Sequence, residues 1–232
     1  MPRLKQSSGD CAFCCQVFTK SGMTKHLTVC AGRKDAISKA AGRKGKPVNL
    51  YHLRIQAAGQ SQYWLDLEMK GTATLEALDE YLRSIWLECC GHMSQFFFGG
   101  PYRNEVGMSR KADKIFAPGV QLTHIYDFGT SSETHLKVVG VRTGQPVMSR
   151  SITLMARNEM PGEECVECQQ PAHWLCMECL YEDGEWRTFC DEHLKHDHEE
   201  YEPMPLVNSP RMGMCAYSGP ADPPYQESVD EY

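Results

Sequence analysis

The sequence predicts an α+β protein: a central mixed sheet-and-helix domain flanked by two small zinc-stabilised modules. Three observations carry this. Two segments near residue 60 alternate apolar and polar residues with period two. A third segment carries apolar residues at helical spacing. Paired cysteines are concentrated towards the two ends of a chain of 232 residues. That length suits one medium domain with small accessories.

The alternating segments come first. In "VNLYHLRIQA", Leu50, His52, Arg54 and Gln56 fall on one face and Tyr51, Leu53, Ile55 and Ala57 on the other. This is the pattern of a half-buried strand. "AGQS" supplies a turn, and "QYWLDLEM" alternates again through Tyr63, Leu65, Leu67 and Met69, so a β-hairpin is expected. Thr74 then caps a helix whose stripe, Leu75, Leu78, Leu82, Ile85 and Cys89, keeps 3-4-3-4 spacing up to a stop at Gly91. "VQLTHIYDFG" and "THLKVVGVRT" read as two further strands around a turn, and "QPVMSRSITLMAR" adds another. The expected segmentation is a finger in 1–30, a basic Ala/Gly-rich linker in 31–47, the core in 48–160, a metal module in 161–200 and an acidic Pro/Gly-rich tail in 201–232.

Charge is distributed unevenly. Residues 1–46 hold ten Lys and Arg against two Asp and Glu, residues 47–160 hold eleven of each, and residues 161–232 hold three against seventeen. A basic N-terminal end invites phosphate, and an acidic C-terminal end repels it. No apolar run reaches the roughly 20 residues needed to span a bilayer, so no membrane role is expected. The opening decapeptide has no apolar signal core. A cytoplasmic location follows as the expectation, and cysteines in such a setting point to metal rather than disulfides.

The N-terminal cysteines sit in C-x2-C-x11-H-x3-C spacing: Cys11, Cys14, His26 and Cys30. Zinc takes four thiolate or imidazole ligands in a tetrahedron, and a tight knuckle followed by a helix turn delivers them. Phe18, Met23 and Leu27 supply a small core, so metal is expected to be needed for folding. Cys15 is the spare. The C-terminal region repeats the logic with Cys165 and Cys168, Cys176 and Cys179, Cys190 and His193, then His196 and His198. His173 is a ninth candidate. With the N-terminal set, up to three zinc ions are expected, all in closed structural sites. Trp174, Leu175 and Phe189 are the expected mini-core.

The "WLECCGHM" stretch reads differently. Neighbours on a helix point about 100° apart, and no second knuckle lies nearby. Cys89 is therefore expected to pack as a small hydrophobe, with His92 closing the helix after Gly91. His92, His124, Asp127 and His135 are the polar core residues worth weighing as a site, and core or strand-edge placement is the expectation for each.

Three resemblances add to this. The N-terminal spacing resembles C2HC variants of the ββα finger, among them the ubiquitin-binding finger of eukaryotic DNA-repair proteins; nucleic acid is the other common target of such units. The C-terminal pattern resembles a B-box finger. The likeness implies that Cys165, Cys168, Cys190 and His193 hold one ion and Cys176, Cys179, His196 and His198 the other. In the middle, Tyr51, Trp64, Thr74, Leu75, Leu78, His92, Phe96 and "YDFG" at Tyr126–Gly129 resemble the plasmid pRiA-type open-reading-frame-three family, TnpR-like passenger proteins of insertion elements. "ARNEMP" and "VNSPRMGMCAY" look like a zinc-carrying branch of it. The likeness implies an α+β fold and a link to mobile elements. Leu65, where that family commonly has Arg, and "TSSE" after "YDFG" depart from its pattern.

The functional expectation is a non-enzymatic zinc-binding adaptor. Lys20, Lys25, Arg33, Lys34, Arg43, Lys44 and Lys46 are its candidate contacts to DNA or RNA, and the acidic C-terminal module is expected to meet a protein partner. Two other readings stand beside it: an interaction scaffold with no nucleic-acid role, and a hydrolase centred on His124 and Asp127. No phosphate-binding loop, GxSxG or HExxH motif is present.

Overall fold

The period-two segments pair into one large antiparallel sheet. The computed structural model describes residues 7–194 and 201–221, and two compact units divide the chain: Met1–Arg83 with His92–Glu159, and Ser84–Gly91 with Met160–Tyr232. In chain order the first unit contains β1 (Ser8–Cys11), β2 (Val17–Thr19), α1 (Lys20–Val29), α2 (Ala31–Ala41), β3 (Val48–Ala57), β4 (Trp64–Lys70) and α3 (Leu75–Leu82). It continues with β5 (Ser94–Phe98), β6 (Glu105–Val106), β7 (Gln121–Tyr126), β8 (Ser132–Gly144) and β9 (Ile152–Asn158). The strand order is β2-β1-β9-β4-β3-β8-β7-β5-β6.

The expected hairpin is β3 and β4, with Leu53 opposite Leu67 and Arg54 opposite Asp66. The strands expected around "YDFG" are β7 and β8, paired from Gln121 and Lys137 to Tyr126 and Ser132. Asp127 makes the turn between them possible. It adopts φ +66°, and its Oδ1 accepts from the Gly129 and Thr130 amides at 2.9 and 3.2 Å. That is the self-capping geometry that suits Asp in left-handed backbone.

Strand β4 is buried along almost its whole length, so both of its faces are covered. The face carrying Asp66 and Glu68 buries charge, and each carboxylate is paired. Arg54 grips Asp66 with Nε and Nη2 at 2.9 and 2.6 Å, and His52 Nε2 lies 2.7 Å from the same carboxylate. Arg142 grips Glu68 in the same two-pronged way, at 2.8 and 2.6 Å. Arg33 of α2 reaches Glu68 at 3.2 Å. A buried carboxylate is tolerated only with such partners.

The N-terminal finger is not a module flanking the core. Its strand β1 pairs with β9, Gly9 opposite Asn158 and Cys11 opposite Ala156. Its core residues Met23 and Leu27 pack in one cluster with Trp64, Met155 and Ala156 of the sheet. A finger has too few apolar residues to bury its own interior, and here the sheet supplies the rest. Gly9 is required at the junction: a Cβ there would lie 2.1 Å from the Arg157 carbonyl oxygen and 2.6 Å from the Trp64 ring.

The expected basic linker also differs. Its first part is α2, because "AGRKDAISKAA" is rich in strong helix formers. Thr74 caps α3 as expected, its Oγ1 accepting from the Ala77 amide at 3.3 Å. The expected continuous helix to Gly91 does not form. A π-turn spans Arg83–Leu87, and three successive residues, Ile85, Trp86 and Leu87, are buried there. An α-helix cannot bury three neighbours on one side, and the wider turn re-phases the stripe. Cys89 and Cys90 therefore lie in bent, non-helical backbone, before Gly91 at φ +78°.

The second unit holds a small antiparallel sheet with β10 (Trp174–Leu175) between β11 (Thr188–Phe189) and β12 (Met204–Pro205). The expected tail is partly built into it: Ser209 and Arg211 are buried, and a 3-10 turn covers Met214–Ala216. The part of the expected tail in 222–232 lies outside the described residues.

Two tests follow from this packing. His124 of β7 is fully buried with Nε2 2.7 Å from Asp79 Oδ1 of α3. Burial works to raise the Asp79 pKa, but the hydrogen bond and charge of His124, aided by Ser94 and Arg83, hold it below its ordinary value of 3.8. Its stabilising contribution is thus complete above that value and is lost as pH falls through the lower, folded value. Asp79→Ala strands a buried histidine and should cost about 3–5 kcal/mol by urea denaturation at neutral pH. Gly9→Ala forces β1 away from β9 and should cost about 1–3 kcal/mol in the same assay.

Candidate metal centres

Two knuckles share one backbone design. In "CAFCCQ" the Cys15 amide donates to the Cys11 carbonyl at 2.8 Å, and the Cys11 amide to the Gln16 carbonyl at 3.1 Å. In "CVECQQ" the Gln169 amide donates to the Cys165 carbonyl at 2.8 Å, and the Cys165 amide to the Gln170 carbonyl at 2.8 Å. The residue after the second cysteine is left-handed in both, Cys15 at φ +56° and Gln169 at +61°. This turn aims both thiols of a C-x2-C pair to the same side. It also gives Cys15 a structural place outside the ligand set.

The first knuckle meets α1. Thr19 caps that helix, its Oγ1 accepting from the Gly22 amide at 3.2 Å. The helix presents His26, and Cys30 follows at its C-cap. The ligand atoms of Cys11, Cys14, His26 and Cys30 all lie within 4.8 Å of one another. Cys11 and Cys30 sulfurs are 3.9 Å apart, and Cys14 Sγ is 3.4 Å from His26 Nε2. Zinc–ligand lengths in a tetrahedron give edges of about 3.8 Å between sulfurs and about 3.5 Å between sulfur and nitrogen. A disulfide would need about 2.05 Å. Phe18 stacks on the His26 ring with centroids 3.8 Å apart, which fixes the ring plane.

The second knuckle meets the "CDEH" turn after β11. Cys165, Cys168, Cys190 and His193 form another set within 4.8 Å, which are the four residues that the B-box likeness groups on one ion. Cys168 and Cys190 sulfurs are 3.8 Å apart, and His193 Nδ1 is 3.3 Å from Cys190 and 3.7 Å from Cys165. Burial opposes ionisation of Cys165, but amides of Cys190, Glu167 and Cys168 bring it down to about 6. Phe189 packs with these cysteines, whereas Leu175 belongs to a separate cluster with Met177 and Met212. The expected mini-core is thus two small cores. Cys176 and Cys179 are buried, and the Cys179 amide donates to Cys176 Sγ at 3.3 Å. Their expected partners His196 and His198 lie outside the described residues. His173 Nδ1 is 3.1 Å from Asp191, which also accepts from Trp174 Nε1 at 2.7 Å.

A third set corrects the reading of "WLECCGHM". Cys89, Cys90 and Cys215, all in the second unit, place their sulfurs within 4.8 Å of one another. The Cys89–Cys90 and Cys90–Cys215 sulfur distances are both 3.6 Å. The argument from helix geometry fails because these residues are not helical. The missing ligand comes from the far end of the chain, which local spacing cannot reveal. Cys215 itself lies in the "VNSPRMGMCAY" stretch noticed in the sequence.

The basic N-terminal residues divide. Lys20 Nζ donates to Gln56 Oε1 and the Ser61 carbonyl, both at 2.9 Å. Arg33 bonds Glu68 and the Leu27 carbonyl, and Arg43 donates to the Val147 carbonyl at 2.8 Å. These three serve the fold. Lys25, Lys34, Lys44 and Lys46 are exposed.

The polar core residues do not converge on one centre. His124 is sealed between Asp79 and Thr134. His135 is exposed beside Glu133 at 2.8 Å. His92 lies 3.5 Å from Asp127, and Asp127 shapes the turn. His124 and Asp127, the residues of the hydrolase reading, thus have separate partners: Asp79 and Thr134 for the first, and the Gly129 and Thr130 amides and His92 for the second.

No family model matches the chain, and no curated protein matches it. Among solved structures it is similar to a protein of unknown function from Methanosarcina mazei Go1, at 15% identity and a TM-score of 0.40, over 46% of this chain and 68% of that one. No helix among the described residues is long and apolar enough to cross a membrane.

Proposed function

We propose that this is a non-enzymatic zinc protein whose metal ions are structural and whose surfaces serve binding. The observation that carries the reading is the composition of the first two tetrads: Cys3His in each, four ligands, with thiols largely buried. A catalytic zinc keeps one position for water and a general base beside it. Four protein ligands fill a tetrahedron, and three thiolates leave the ion with little Lewis acidity to spend.

The first tetrad joins the knuckle, α1 and the start of α2. Zinc there would lock the finger helices over the Asp66 and Glu68 face of β4. The exposed Lys25, Lys34, Lys44 and Lys46 favour a polyanion as the ligand of this end. The acidic second unit suits a protein partner instead. The likeness to mobile-element passenger proteins is compatible with nucleic acid but carries no activity of its own.

Metal analysis of the purified chain tests the first part. Cys14→Ser and Cys168→Ser should each lose one zinc equivalent, whereas Cys15→Ser should lose none; unchanged metal content in both ligand variants would remove the reading. Salt-dependent binding tests the second. Replacing the four exposed lysines with Gln should weaken association with duplex DNA or RNA at low salt and flatten the slope of log K against log salt. Equal, negligible binding before and after substitution would leave the protein-scaffold reading in its place.

A further inference from the structure

We infer that Cys89, Cys90 and Cys215 hold a third zinc ion, a clasp within the second unit that fastens segment 208–215 to the end of the π-turn. The three sulfurs meet the same proximity as the ligand atoms of the two knuckle tetrads, and their 3.6 Å separations lie near the tetrahedral edge of about 3.8 Å.

Two further observations point to a metal. The first is the fully buried Arg211, whose Nη2 lies 3.4 Å from Cys89 Sγ. Zinc with three thiolates carries a net charge of −1, and an N–H donor to a metal-bound sulfur is the usual outer support of such a site. Binding would release the three thiol protons to solvent. The second is the backbone that delivers Cys215. Ser209 Oγ donates to the Trp86 carbonyl at 2.6 Å and accepts from the Arg211 amide at 2.9 Å, pinning this segment beside the turn that carries Cys89. Cys215 and Ala216 then adopt φ +51° and +52°. Left-handed backbone at two successive non-glycine residues is costly, and a coordinate bond from Cys215 offsets that cost.

Cys90 and Cys215 are exposed, and so is Cys15, which gives an internal reference. Full-length protein loaded with zinc and freed of excess metal should react with iodoacetamide rapidly at Cys15 and slowly at Cys90 and Cys215. A chelator should bring those two up to the Cys15 rate. Cys90→Ser and Cys215→Ser should each bind one zinc equivalent fewer than the wild-type chain, while Cys15→Ser keeps the full number. Labelling of Cys90 and Cys215 as fast as Cys15 in the zinc-loaded protein would overturn the site, as would a Cys90–Cys215 disulfide persisting under reductant. Cys14→Ser and Cys168→Ser report on the other two tetrads separately, so failure here is distinguishable from failure there.

Discussion

The first unit depends on two carboxylates buried on one strand. Asp66 and Glu68 are placed by the pleat of β4 on a face that water does not reach. Neither is tolerable alone, and each recruits arginines from different parts of the chain: Arg54 from the neighbouring strand, Arg142 from β8, and Arg33 from α2. Arg54 also donates to the Lys20 carbonyl and to Thr24 Oγ1 of α1 and lies over the Trp64 ring. The ionic network therefore does more than neutralise charge. It ties the finger helices to the sheet, through Arg33 to Glu68 and through Arg54 to α1. Breaking one partner costs far more than the pair contributes to net stability, which makes the arrangement specific.

The three candidate metal sets divide by how far apart in the chain their members lie. The finger tetrad is drawn from "CAFC" and one helix turn. The second joins a knuckle to a turn after one small sheet. The third unites residues 89 and 215. The thiols have different neighbours: backbone amides face Cys11 and Cys165 at the two knuckles, and the Arg211 guanidinium faces Cys89 in the third set.

Short-range features were legible in the sequence. Alternation identified the β3–β4 hairpin and the β7–β8 pair, Thr74 marked the start of α3, and ligand spacing marked the first tetrad and the candidates for the second, whose grouping the B-box likeness implied. What escaped needed long-range information. Trp64 read as a strand aromatic, yet its ring completes the interior of the finger. The basic stretch after Cys30 read as a linker because charge hid its helix propensity. The apolar stripe through Cys89 fitted an α-helix, and only the burial of Ile85, Trp86 and Leu87 together demands the π-turn that swings Cys89 and Cys90 out of it. The sequence signal for the third set was split between "CCGH", read as a helix end, and "MGMC", and nothing local says that their cysteines meet.

The pairing of β1 with β9 has a consequence for biosynthesis. Knuckle, helix and imidazole of the finger are all made within the first thirty residues, but the strand beside which β1 lies ends at Asn158. During translation the finger must wait for most of the first unit to emerge before Trp64, Met155 and Ala156 can close over Met23 and Leu27. Contacts so distant in sequence form late and slowly. In that interval the four ligands are already complete, so an ion captured early would hold a nascent, half-cored finger in shape until its sheet arrives. Metal supply would then govern the yield of folded chains more than the stability of finished ones.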